Sequence, residues 1–122
     1  MFNITSPRSD DAGIEQLIQT KGKTAARVTP ADIEANIASE WYFTAADGAD
    51  MVDGDGPDVQ ALGLLTFCVL VLKNGFAVTG ESACASPENF DTALGRVIAR
   101  QNAVNKVWTL MGYELRTKLS AI

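Results

Sequence analysis

Two arginines, Arg96 and Arg100, stand four residues apart in the C-terminal part of the chain. On a helix that spacing places them one turn apart on one face, so two guanidinium groups can converge on a single anion. Arginine presents planar, paired N–H donors matched to a phosphate or pyrophosphate. The same spacing equally serves a solvated helix face, or ion pairs with the acidic first half of the chain. A second group, Thr79-Gly80-Glu81-Ser82, offers two hydroxyls and a carboxylate able to hydrogen-bond a sugar or base. Gly80 leaves room there for a ligand or another backbone to come close. Trp41, Phe76, Phe90 and Trp108 can stack on a base or fill a core.

Acid–base and metal chemistry find less to work with. The chain has no histidine, the commonest general base and metal ligand. Ser82 has no histidine and no Ser-Lys arrangement to activate it. Gly75, Gly80 and Gly95 do not make a phosphate-loop spacing. Cys68 and Cys84 are too few for a zinc site built from cysteine alone. The Asp-x-Asp-Gly piece at Asp53–Gly56 resembles the start of a calcium loop, but its fifth position is Pro57 and its twelfth Leu64, where oxygen ligands are needed. The expected inventory has no catalytic residue, no metal and no cofactor.

The elements that must position these residues are legible from periodicity and caps. Met1–Asp11 is polar and expected to fray. Ile14, Leu17 and Ile18 predict a short helix over Asp11–Thr20, ended by Gly22, with Lys21–Val28 as a linker. Residues 1–28 thus form an N-terminal tail, and 29–122 a single α+β domain. Thr29-Pro30-Ala31-Asp32 is a helix start, with Thr29 as cap and Asp32 as its reciprocal acid. Ile33, Ile37 and Trp41 extend its apolar stripe through Glu40. Trp41–Thr44 predicts a short strand. Ala45–Gln60, with three Gly and five Asp, predicts a loop.

Leu64–Leu72 and Phe76–Ala83 are strand-like runs flanking Asn74-Gly75, a strong hairpin signal. A two-residue turn there makes Lys73 face Phe76. One face then carries Phe67, Val69, Val71, Phe76 and Val78 as a core. The other carries Cys68, Leu70, Leu72, Ala77, Thr79 and Glu81 as a subunit interface or pocket wall. Cys68 and Cys84 fall on opposite faces in this register, against a disulfide. Ser86-Pro87 predicts the start of the main helix, with Ser86 as its cap. A break near Trp108–Thr109 precedes a final helix, Leu110–Leu119. The fold class is α+β: a small antiparallel sheet, the hairpin around Asn74-Gly75 plus the strand near Trp41–Thr44, packed with C-terminal helices.

The chain has 122 residues and a net charge of −5, one domain's length. Its halves differ: residues 1–60 hold four basic and eleven acidic groups, net −7, and residues 61–122 hold six and four, net +2. Bulk acidity argues against a nucleic-acid polymer or an anionic membrane as partner. The longest apolar stretch, Ala61–Leu72, is too short to span a bilayer.

From Leu72 onward three segments are recognisable: LKNGFAVTGESACASPENFD, GRVIARQNAVNKVW and LMGYELRTKL, with a looser match at VTPADIEANIASEWYFT. They resemble a family of short tailed-phage and prophage proteins, which is similar to the first type of Thoeris anti-defence protein. The resemblance implies a sponge: a phage protein in the host bacterial cytoplasm that binds a cyclic ADP-ribose-derived immune signal and sequesters it without cleavage. It implies assembly as a homodimer or larger homo-oligomer. It also implies that Arg96 and Arg100 hold the ligand phosphates while Thr79, Glu81 and Ser82 line the pocket. An inhibitor that binds a host protein through its sheet face or acidic loop is the competing expectation, and an enzyme using Glu81 as acid or base a third.

Overall fold

A computed structural model describes residues 11–23, 25–53 and 59–121. The expectations for Met1–Asp10 and for the Gly54–Asp58 part of the acidic segment lie outside the described residues. Helices α1 (Asp11–Thr20) and α2 (Pro30–Ala35) lead into strand β1 (Ile37–Thr44), α3 (Ala45–Asp53) and α4 (Val59–Leu62). Strands β2 (Leu65–Leu72) and β3 (Ala77–Ala83) follow, then a 3₁₀ turn (Pro87–Asn89) and the long α5 (Thr92–Ser120). The strands form one antiparallel sheet in the order β1-β2-β3, and α5 packs on it over β2 and β3. The architecture is α+β, as the sequence predicts.

Helix α2 starts as its residues dictate. The Asp32 amide donates to Thr29 Oγ1 (3.1 Å) and the Thr29 amide donates to Asp32 Oδ2 (2.9 Å), a reciprocal cap with Pro30 in the first turn. The helix stops at Ala35, however, and Ile37 already pairs with Leu72. The four-residue rhythm of Ile33, Ile37 and Trp41 therefore crosses two elements. Aromatic and β-branched residues at 37–44 gain more from pairing with β2 than from another helical turn.

The acidic segment also departs from expectation, since Ala45–Asp53 is helical. Thr44 and Asp47 exchange hydrogen bonds, Thr44 amide to Asp47 Oδ2 (2.8 Å) and Asp47 amide to Thr44 Oγ1 (3.3 Å). This is the reciprocal cap of α2 repeated with another Thr-x-x-Asp, and it starts a helix in a composition that reads as loop.

The hairpin forms, but its turn is one residue longer than predicted. The Leu72 amide donates to the Phe76 carbonyl (2.8 Å) and the Gly75 amide to the Leu72 carbonyl (2.9 Å). Gly75 alone takes the left-handed conformation, at φ +90, while Asn74 keeps negative φ and accepts from the Phe76 amide at Oδ1 (2.9 Å). The mirror-image two-residue turn needs positive φ at both central residues, so the three-residue loop Lys73-Asn74-Gly75 forms instead. Leu72 thus faces Phe76, and Val69 pairs with Thr79 rather than Gly80.

That shift inverts the faces. Thr66, Cys68, Leu70, Leu72, Val78 and Ser82 are buried. They share the α5 side of the sheet with Gly80, and Cys68, Leu70, Leu72 and Val78 pack with Ile33, Ala99, Ala103, Val104 and Val107. Phe67, Val69 and Val71, the predicted core, lie on the opposite face with Trp41, Phe43, Thr79 and Glu81. Cys68 and Cys84 are both buried and unbridged, and the expected opposite-face placement does not hold.

Gly80 serves another backbone. A Cβ there would overlap the backbone of Ala99 and Ala103, so glycine against two alanines is what lets α5 lie directly on β3. Helix α5 is continuous for 29 residues, without the expected break at Trp108–Thr109. Thr109 Oγ1 reaches the Asn105 carbonyl one turn back (3.5 Å), and no proline interrupts the segment. Its cap is Asp91, which accepts from the Leu94 amide (2.9 Å). Ser86 makes no such bond, and Pro87 opens only the 3₁₀ turn.

Candidate functional site

Because α5 lies over β2 and β3, the helix-side surface of β1 is left to one side of it. An open groove of about 580 Å³ results, lined by Tyr42, Thr92, Ala93, Arg96, Val97, Arg100 and Gln101. Tyr42 comes from β1 and the rest from the first three turns of α5, the positive end of the helix dipole. Strand alternation explains Tyr42: Trp41 and Phe43 point to the open sheet face, and Tyr42, between them, points under Arg96.

The two arginines share this groove, yet their environments differ. Arg96 is exposed, its guanidinium 5.5 Å from the centroid of the Tyr42 ring. That distance suits a cation–π contact. It has no carboxylate partner among the described residues. Arg100 is only 28% exposed and is held by two acids. Nη1 and Nη2 donate to Glu34 of α2 (3.1 and 2.8 Å), and Nε and Nη2 donate to Glu40 of β1 (3.2 to 3.4 Å). These bonds raise the Arg100 pKa, Glu34 contributing most. Glu40 is held below the usual carboxylate range, chiefly by the Tyr42 hydroxyl, which donates to its Oε1 (2.8 Å), and then by Arg100. The Tyr42 hydroxyl is correspondingly raised by burial and by this bond. Arg100 is thus a brace joining α2, β1 and α5, the ion-pair role that its spacing left open. Arg96 carries the charge still available to an anion.

The remaining predicted ligand residues lie elsewhere in the chain. Thr79 and Glu81 are on β3, at the opposite edge of the sheet from β1 and on its open face. Lys106 Nζ donates to Thr79 Oγ1 (3.4 Å), and Thr79 Oγ1 donates to Glu81 Oε1 (3.4 Å). The Asn102 side-chain amide donates to the Glu81 carbonyl (2.7 Å). Ser82 is buried on the α5 side. Within one chain, Arg96 and Arg100 are brought together, and Thr79, Glu81 and Ser82 are not joined to them. Tyr42, Glu34 and Glu40 were missed as partners of the arginine pair. Strand alternation could have found Tyr42, whereas the two glutamates, some sixty residues distant in sequence, left no local signal.

Among the described residues, no group of His, Cys, Asp and Glu is arranged to hold a metal, and no helix is long and apolar enough to cross a membrane. The fold and groove define a small two-layer α+β protein with an arginine–tyrosine surface at one edge of its sheet. A family model described as phage protein (N4 Gp49/phage Sf6 gene 66) family matches residues 28–119, and the chain belongs to this family of phage proteins. No curated protein and no solved structure matches it significantly.

Proposed function

We propose that the protein is a phage counter-defence protein that binds a small cyclic nucleotide signal, a cyclic ADP-ribose isomer, and sequesters it without cleavage in the host cytoplasm. The observation that carries this reading is Arg96, a guanidinium stacked on Tyr42 in an open groove and without an acid partner among the described residues. A nucleotide needs a charge-assisted donor for phosphate and a planar surface for its base, and this pair offers both. Gln101 and Thr92 add neutral donors and acceptors at the rim. Arg100 keeps its two acids and shapes the wall. Sequestration requires tight holding and slow release, with no acid, base or nucleophile acting on the ligand.

The test is retention. Protein incubated with a cyclic ADP-ribose isomer is freed of unbound ligand and heat-denatured, and the released compound is assayed. Intact signal is expected, and Arg96→Ala should lower retention at least about tenfold with unchanged thermal stability. No retention at micromolar protein overturns the ligand. A chemically altered product overturns sequestration in favour of catalysis.

A further inference from the structure

We propose that the outer edge of β3 is a docking site for an extended acidic peptide of a partner protein, which adds to the sheet as a further strand. β3 ends the strand order, so only one of its sides is paired. Which of its groups are left over follows from the ladder. The Leu72 amide donates to the Phe76 carbonyl and the Cys84 amide to the Leu64 carbonyl, and in an antiparallel pair the bonded positions alternate. Phe76, Val78, Gly80 and Ser82 therefore turn their amides and carbonyls to β2, while Ala77, Thr79 and Glu81 turn theirs outward. The Asn102 side chain follows the same direction, closing the Glu81 carbonyl from outside the sheet (2.7 Å). Among the described residues, no hydrogen bond reaches the Ala77 or Thr79 backbone from that side. The spacing of these open amides and carbonyls is matched by another extended backbone.

Beside this edge lies a seat for a side chain. A groove of about 650 Å³ runs between β3 and α5, with Phe76, Val78 and Leu110 as its apolar wall and Asn105, Lys106 and Thr109 on its helix rim. Phe76 is 56% exposed and Leu110 39%. An added strand lies ~4.8 Å from β3, and its residue opposite Val78 faces α5 and enters the groove.

Charge selects the occupant. Among the described residues lining the groove only Lys106 is ionisable. It has no carboxylate partner among the described residues. Its exposed ammonium rests on the Thr79 hydroxyl at 3.4 Å, a long contact that an arriving carboxylate replaces with a charge-assisted one. The open ladder thus suits a backbone, the groove an apolar side chain, and Lys106 an acid on the same side of the added strand. Antiparallel pairing puts the acid opposite Gly80 and the apolar residue opposite Val78, an acid-x-apolar order. This edge is across the sheet from the Arg96 groove on β1, so nucleotide retention and peptide docking are read separately.

The probe is the peptide acetyl-Thr-Asp-Thr-Leu-Thr amide, added to the ¹⁵N-labelled full chain up to about 1 millimolar. Chemical shifts should move at Ala77, Thr79, Lys106 and Leu110. Solvent exchange of the Ala77 and Thr79 amides should slow at least about fivefold, while Val78 and Gly80, already bonded to β2, change little. The same peptide N-methylated at its central threonine keeps every side chain but loses a ladder donor, and should bind at least ~10-fold more weakly. Lysine in place of its aspartate, or Lys106→Glu with the original peptide, should each weaken binding about fivefold. No shift at these residues up to the highest concentration overturns the proposal. Undiminished binding of the N-methylated peptide overturns strand addition, and undiminished binding of the lysine peptide overturns the acidic occupant. Slowed exchange at Ala77 and Thr79 that grows with protein concentration in the absence of peptide also overturns it, because a second copy then holds the edge.

Discussion

The two faces of the sheet are built from different residues for different neighbours. Under α5 the side chains shrink where the layers meet: Gly80 on β3 lies against Ala99 and Ala103, and Gly95 against Thr66. On the open face the side chains are large, with Trp41, Phe43 and Phe67 leading. A covered face is constrained by backbone approach and tolerates almost no added volume. An open face is constrained mainly by what later docks on it, and within one chain it should tolerate much.

The largest expected effect tests the covered face. Gly80→Val places branched carbons against backbone atoms of Ala99 and Ala103, and no rotamer change can relieve that. A loss of about 3–5 kcal/mol is expected, a large part of the ~5–15 kcal/mol a domain holds. Urea denaturation measures it, and a midpoint like wild type would mean that α5 slides freely on β3. Gly48→Ala is the matched control. Nothing lies within 4 Å of a Cβ at Gly48 in α3, so alanine there should raise stability by about 0.5–1 kcal/mol.

An intermediate effect tests the brace at the margin of the covered face. Arg100→Ala leaves Glu34 and Glu40 without their shared cation, and a loss of about 1–2 kcal/mol at pH 7 is expected. The sign of its pH dependence follows from Glu40, whose folded pKa is lowered. Its contribution is fully present above the unfolded carboxylate value and is lost as pH falls through the lowered folded value. The stability gap between wild type and Arg100→Ala should therefore narrow from pH 7 to pH 3. A gap constant over that range would show that Arg100 acts by packing rather than charge. Arg96→Ala, with no carboxylate to release among the described residues, should show no comparable gap.

These contrasts also explain what was legible beforehand. The Thr29–Asp32 cap, helix α1 over Asp11–Thr20 and the hairpin rest on local chemistry, and they appear where the residues place them. The turn type was not legible, because Asn74-Gly75 suits both a two-residue and a three-residue loop; the φ of Asn74 decides. That single residue of register exchanged core for surface across β2. Helix α3 was hidden by composition, since the exchange between Thr44 and Asp47 outweighs a run rich in Asp and Gly. At the candidate site the arginine spacing was legible and its division of labour was not. Glu34 and Glu40 reach Arg100 only after α2, β1 and α5 have packed together.

The smallest expected effect tests the open face, and it is read in dilute protein and across concentration. In dilute protein Trp41→Ser removes an exposed ring whose cross-strand neighbour is Val69. A cross-strand pair contributes roughly 0.2–1 kcal/mol, so a change near 0.5 kcal/mol is expected, against several for Gly80→Val. Were copies of the chain to associate through this face, the wild type would gain stability at higher concentration by mass action on the folded state, and the variant would not. A difference between their unfolding midpoints that widens as protein concentration rises would register such association. A difference that stays constant would mean that Trp41 stabilises only its own chain, and that the two faces differ in packing tolerance alone. A large difference already present in dilute protein would break the comparison itself, because the open face would then carry the stability that the packing of α5 assigns to the covered one.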